Sequence, residues 1–266
     1  MNRAQLIQQI RQKQSFLCIG LDPDLQKIPV HLKQTQDPVY EFCKEIILQT
    51  QDLAVAYKPN LAFFECLGTK GWETLEKVKA CIPSHCFTIA DAKRGDIGNT
   101  SDMYAKAFFD FFNFDAVTVA PYMGRDSVEP FLAYDDKWVI VLGLTSNQGA
   151  RDFEMLDLGG EKLYERVIKT VASWGTPQNT MFVVGATHPH LISEIRAMVP
   201  DYFFLVPGVG AQGGDMQMTC ENGINQDIGL LINSSRNILY ASSDENFAQA
   251  ARQACKVILE EMKPFI

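Results

Sequence analysis

Short apolar runs alternate with helical patterns along the whole chain. Phe16–Leu21, Leu53–Lys58, Phe87–Asp91, Ala116–Val119, Trp138–Leu144, Met181–Gly185, Tyr202–Val206 and Leu230–Asn233 read as strands. Between them, helical patterns cover Val39–Thr50, Thr69–Ala80, Ile97–Phe112 and Glu161–Ser173, and Asn246–Lys263 closes the chain. Eight strands alternating with helices imply parallel β-α units, and eight is the number that closes a (β/α)8 TIM barrel. With 266 residues and 47% hydrophobic content the chain can fill one such core. The expectation is therefore an α/β fold with a single barrel domain over residues 1–266, without a linker, low-complexity tract or short internal repeat.

Barrel enzymes build their sites from polar residues at the carboxyl ends of the strands. Here the first three strands end in Asp22, in Lys58, and in Asp91 with Lys93. The fifth ends in Thr145-Ser146-Asn147, the seventh in Pro207 through Gly214, and the eighth in Asn233-Ser234-Ser235-Arg236. The densest of these segments is Asp91-Ala92-Lys93-Arg94-Gly95-Asp96. Side chains alternate along a strand, so Asp91 and Lys93 are expected on one side. Gly95 lets the chain turn into the following helix. A carboxylate and an ammonium held side by side can destabilise one charge and deliver one proton. Two plainer accounts fit the same residues: a surface ion pair, worth about 0–1 kcal/mol, and a helix cap at Asp96.

Composition narrows the partners. A formal net charge of −8 argues against nucleic acid or an anionic membrane. An anionic small molecule would need local positive charge, for which Lys58, Lys93, Arg94 and Arg236 are candidates. The N-terminus has no apolar signal-peptide core, and no stretch is long and apolar enough to span a bilayer. The seven cysteines are scattered, with no Cys-x-x-Cys pair, which points to reduced thiols in a cytoplasmic protein. No metal site is expected: His188 and His190 flank Pro189 but have no third ligand nearby.

Gly208, Gly210 and Gly213 satisfy the dinucleotide fingerprint Gly-x-Gly-x-x-Gly after a strand. That unit would normally come first in its domain, with an acid ending the next strand. Here it comes late and the next strand ends in Asn233. A phosphate cradle after strands seven and eight suits a barrel better. Backbone N–H groups would approach the anion, and Arg236 would grip it through a bidentate fork.

The Asp-x-Lys-x-x-Asp pattern at Asp91, Lys93 and Asp96 resembles the signature of the orotidine 5'-monophosphate decarboxylase superfamily. Gly20-Leu21-Asp22-Pro23, Tyr57-Lys58-Pro59-Asn60, Pro121-Tyr122-Met123-Gly124 with Asp126-Ser127, Thr145-Ser146-Asn147, Pro207 through Gly214 and Ser234-Ser235-Arg236 extend the resemblance over nearly the full length. It is greatest to the longer bacterial (type 2) subgroup of the decarboxylases. Ala120, Gln148 and Glu154 depart from the usual pattern, and none touches the charged array.

The resemblance implies cofactor-independent decarboxylation of orotidine 5'-monophosphate to UMP in pyrimidine biosynthesis. It implies a homodimer whose catalytic array is Lys58, Asp91, Lys93 and the Asp96 of the neighbouring subunit. Two acids and two bases sum to zero, and a buried array is tolerable only when its charges are paired. Lys93 would stabilise negative charge developing at pyrimidine C6 and then protonate it. Asp22, Lys58 and the neighbour's Asp96 and Thr100 would hold the ribose, with the neighbour's Ile97 as an apolar wall. Ser146, or Thr145 beside it, would meet the pyrimidine edge. Pro207, Gln212, Gly213, Ser235 and Arg236 would line the phosphate end. Two other readings remain: a magnesium-dependent sugar-phosphate decarboxylase or aldolase of the same superfamily, which would carry an acid where Lys58 stands, and a non-catalytic nucleotide-binding barrel.

Overall fold

The computed structural model describes residues 1–187, 189–210 and 213–266. Eight parallel strands close into one barrel in sequence order. They are β1 (Leu17–Leu21), β2 (Ala56–Pro59), β3 (Phe87–Arg94), β4 (Ala116–Val119), β5 (Trp138–Leu144), β6 (Thr180–Val184), β7 (Phe203–Pro207) and β8 (Leu230–Ser234). β8 pairs with β1, Leu17 lying opposite Ile232. No helix is long and apolar enough to cross a membrane, among the described residues.

The amino end of the barrel is filled by aromatic rings. Phe87, Trp138 and Phe203 are the first residues of β3, β5 and β7, and all are fully buried. Alternate strands thus contribute one interior layer, as barrel geometry requires. The Trp138 ring meets Phe87 and Phe203 edge-on, at centroid separations of 6.0 and 6.2 Å. Below it packs a helix, Arg3–Lys13, capped by the Asn2 side chain on the Gln5 N–H. Its Leu6 and Ile10 are buried, and Trp138 Nε1 donates to the Met1 carbonyl at 2.9 Å.

The outer helices bury one face each. In Pro38–Thr50, proline stands in the first turn and Asp37 caps the Tyr40 N–H, while Val39, Phe42, Cys43, Ile46 and Ile47 face the barrel. Asp37 also accepts from the Thr74 hydroxyl at 2.9 Å, which ties this helix to Thr69–Cys81. The helix expected over Ile97–Phe112 is composite: an α-helix over Gly98–Ala105 continues as a π-helical turn over Lys106–Phe111.

Candidate active site

β3 is irregular where its chemistry lies. Ala90 pairs with Val117 of β4, but the next pair is Arg94 with Val119. Over that interval β3 carries two residues more than β4, so Asp91, Ala92 and Lys93 face the single residue Thr118. Lys93 takes up the slack in the left-handed region at φ +47°, which costs an L-residue about 1–2 kcal/mol. Asp91 and Lys93 do reach the same side, as expected, but through a bulge and not through plain alternation.

The result is one carboxylate between two ammonium groups. Lys58 Nζ donates to Asp91 Oδ2 at 2.6 Å, and Lys93 Nζ donates to Oδ1 at 2.5 Å. The Thr118 hydroxyl donates to the same Oδ1 at 3.1 Å. Asp91 and Lys58 are 8% and 5% exposed, whereas the Lys93 side chain is 51% exposed. Burial works to discharge Lys58, but Asp91 and Asp22 nearby outweigh it and the ammonium's pKa lies above its ordinary value. Burial likewise works to protonate Asp91, yet Lys58 and Lys93 hold its carboxyl below the usual carboxylate range. Behind Lys58, burial pushes the Cys18 thiol up to about 12, so it stays neutral and unreactive.

This array opens on a cavity of about 400 Å³ at the carboxyl ends of the strands. Lys58, Asp91, Lys93, Thr145, Ser146 and Pro207, all singled out from the sequence, lie on its wall. Leu142, Val183 and Leu205 provide apolar surface, and Asn233 adds a polar group. Ser146 is set by close packing: a Cβ on Gly185 would come within 2.7 Å of its backbone nitrogen, so that position tolerates only glycine. Glu154 accepts from the Thr145 N–H at 2.7 Å, and its Oε1 lies 2.9 Å from the Thr145 hydroxyl.

The other candidates stand in two groups beside the cavity. On one side the Ser235 hydroxyl donates to Asp22 Oδ2 at 2.6 Å, and Asp22 Oδ1 is buried without a partner among the described residues. Arg236 is exposed at the start of the short helix Arg236–Leu239, with no ion pair among the described residues. The Gly210, Gly213 and Gly214 amides, expected to face a phosphate, donate within their own loop to Gly214, Gly210 and Gly208 carbonyls. Gln212 lies outside the described residues, as does His188.

Asp96, Ile97 and Thr100 are absent from the cavity wall. Asp96 does not cap the following helix; Ile97 is the capping residue, and Asp96 Oδ1 accepts the adjacent Ile97 N–H at 2.8 Å. Gly98, at φ +50°, makes the turn expected of Gly95. Arg94 is no anion ligand: it pairs with Glu65, and its guanidinium lies 5.2 and 5.4 Å from the Tyr104 and Phe108 ring centroids.

Thr118 and Glu154 are the site residues that the sequence did not disclose as such. An isolated hydroxyl in an apolar strand reads as an ordinary β-former, and its only signal is an inward position at a strand's carboxyl end.

A closed parallel barrel whose mouth holds a buried, charge-alternating array defines a (β/α)8-barrel enzyme. The chain belongs to the orotidine 5'-phosphate decarboxylase / HUMPS family, whose model matches residues 15–253. It is 56% identical over 269 residues to the orotidine 5'-phosphate decarboxylase of Flavobacterium johnsoniae, covering 100% of this chain and 98% of that one. The structure of Leishmania donovani OMP decarboxylase matches with a TM-score of 0.87 at 39% identity, over 100% of this chain and 99% of that one. Leishmania donovani UMP synthase matches with a TM-score of 0.88 at 40% identity over 98% of this chain, which spans 55% of that longer protein.

Proposed function

We propose that this chain, working as one unit over residues 1–266, decarboxylates orotidine 5'-monophosphate to UMP without metal or cofactor. We assign it to the longer bacterial (type 2) subgroup of its family. The observation that carries the reading is Asp91 held at 2.6 and 2.5 Å by Lys58 and Lys93 on the cavity wall. The substrate carboxylate lies against Asp91. As its bond to pyrimidine C6 breaks, carbon dioxide leaves and the electron pair stays on C6. Lys93 stabilises that charge and then gives its Nζ proton to the carbon.

The other groups hold the substrate. Asp22, through the Oδ1 that has no partner among the described residues, and Lys58 take the ribose hydroxyls. The pyrimidine edge falls to Ser146, because the Thr145 hydroxyl is already engaged by Glu154 and Asn147. Arg236, with Gln212, Ser235 and the Pro207 end of β7, takes the phosphate, and Gly213 joins them when its amide leaves the Gly210 carbonyl. The partner subunit's Asp96, Ile97 and Thr100 complete the site in a homodimer. In support, Ile97, Met103, Tyr122 and Met123 are all half-exposed apolar residues on the β3–β4 side. The seven unpaired thiols support a cytoplasmic location.

A magnesium-dependent reaction is disfavoured by Lys58, whose ammonium stands where a divalent cation would need an acid. Mere nucleotide binding needs no charge-balanced proton-transfer array. The test is to incubate the purified protein with orotidine 5'-monophosphate and follow loss of orotate absorbance. No loss at micromolar enzyme would end this reading.

A further inference from the structure

The β3 bulge leaves the Lys93 amide without a strand partner, and a side chain fills the vacancy. Thr118 is 1% exposed, and its Oγ1 accepts the Lys93 N–H at 2.8 Å. The same hydroxyl donates its proton to Asp91 Oδ1 at 3.1 Å. An amide can only donate, so the amide bond fixes the polarity of the hydroxyl and leaves its single proton for the carboxylate. That carboxylate oxygen is also the one Lys93 Nζ reaches at 2.5 Å. One buried atom therefore joins the backbone of Lys93 to the counterion of its ammonium, across a residue held at φ +47°.

We propose that Thr118 is a positioning residue, which fixes the left-handed turn at Lys93 and the rotamer of Asp91 so that the Lys93 ammonium meets the reacting carbon. Thr118 stands on the cavity wall beside Asp91 and Lys93, and its hydroxyl is spent on those two neighbours, through which it acts. The inference rests on the decarboxylase reading for its kinetic consequence, though the hydrogen-bond relay itself does not.

Thr118→Val keeps the shape of the side chain and removes both bonds, whereas Thr118→Ser keeps both. A misplacement of about 1 Å at a reacting centre can cost about a hundredfold. Thr118→Val is therefore expected to lower kcat per folded site by about tenfold to a hundredfold. KM and the affinity for UMP should move by less than about threefold, and Thr118→Ser should stay within about threefold of wild type. A merely structural threonine would lower the melting temperature and leave kcat per folded site unchanged, which would overturn the proposal. So would equal losses in the Ser and Val variants. Should Thr118→Val not fold, Thr118→Ala carries the same measurement, and failure of both to fold would show a structural role and sink the positioning one.

A substrate-free readout separates this inference from the decarboxylase reading. Hydrogen exchange of the Lys93 amide, followed by NMR, should be protected in wild type and in Thr118→Ser, and at least about tenfold faster in Thr118→Val. If wild type fails to convert orotidine 5'-monophosphate yet shows this exchange pattern, the function reading falls and the relay stands. Unchanged exchange in Thr118→Val overturns the relay whatever the activity.

Discussion

Replacing Lys93 with alanine should separate catalysis from stability. Its ammonium is one of two cations on Asp91, but the side chain is half exposed while Lys58 is buried. Removing Lys93 leaves Asp91 with the 2.6 Å bond from Lys58 and the 3.1 Å bond from Thr118, so the buried carboxylate is not orphaned. A charge-assisted hydrogen bond is worth about 1.5–3 kcal/mol. Solvent screening at a half-exposed ammonium brings that down towards the 0–1 kcal/mol of surface pairs, so about 1 kcal/mol is expected. In a domain of this size that lowers the melting temperature by about 2–4 °C. Catalysis should suffer far more. Loss of one preorganised charge-stabilising donor costs about 10²–10³-fold, and loss of general acid catalysis about 10²–10⁴-fold. The two effects share one group and do not multiply, so a fall of at least about 10³-fold in kcat is expected. The assay is loss of orotate absorbance per folded site, with folded fraction read by circular dichroism. Activity within tenfold of wild type would remove Lys93 from the mechanism. A melting temperature lower by more than about 10 °C would refute the claim that Lys58 and Thr118 suffice for Asp91.

Further outcomes follow from the same geometry. Arg236→Ala should lower kcat/KM for the nucleotide by an amount on the order of 2–5 kcal/mol where the phosphate stays buried in the complex, but hardly affect a substrate lacking phosphate; equal losses would make Arg236 structural. Dialysis against a strong chelator should leave the rate unchanged, and a loss that magnesium restores would favour the metal-dependent relatives. Mixing Asp96→Asn with Lys93→Ala, each inactive alone, should give verified heterodimers with one complete site and about half the wild-type activity. Heterodimers without activity would rule out a shared site. Because Asp91 is depressed in the folded state, its stabilisation is present above the unfolded carboxyl value of 3.8 and is lost as pH falls towards the lower folded value. The stability advantage of wild type over Asp91→Asn should therefore be flat from about pH 5 to 9 and shrink only below about pH 4; thermal melts showing an earlier loss would contradict the pairing.

Much of the barrel was legible in the sequence because its strands are short apolar runs set between helical patterns. β4 and β5 begin and end where the sequence reading put them, and the other strands differ by a few residues at their ends. The helix Arg3–Lys13 was hidden, since Leu6 and Ile10 are its only fully buried apolar residues and most of the rest is polar. Lys58, Asp91, Lys93 and Ser146 could be named because charged or polar groups at strand ends stand out. The two-residue bulge could not be read, because ladder register is a property of two strands and β3 alone looks regular. Thr118 went unnoticed for the same reason: its importance comes from a gap in the opposite strand. The internal hydrogen bonding of the glycine loop after β7 was equally invisible, since composition alone does not say which way an amide points.

The irregular register of β3 also constrains how such a site can arise or be lost. Asp91, Ala92 and Lys93 occupy a stretch where β4 offers only Thr118. A strand in continuous register with β4 would have room for only one of those residues. That room exists because β3 carries two residues more than its partner over this interval. A surplus of two residues in one strand is what lets a rigid sheet keep its pairing on either side and still present an acid and a base together.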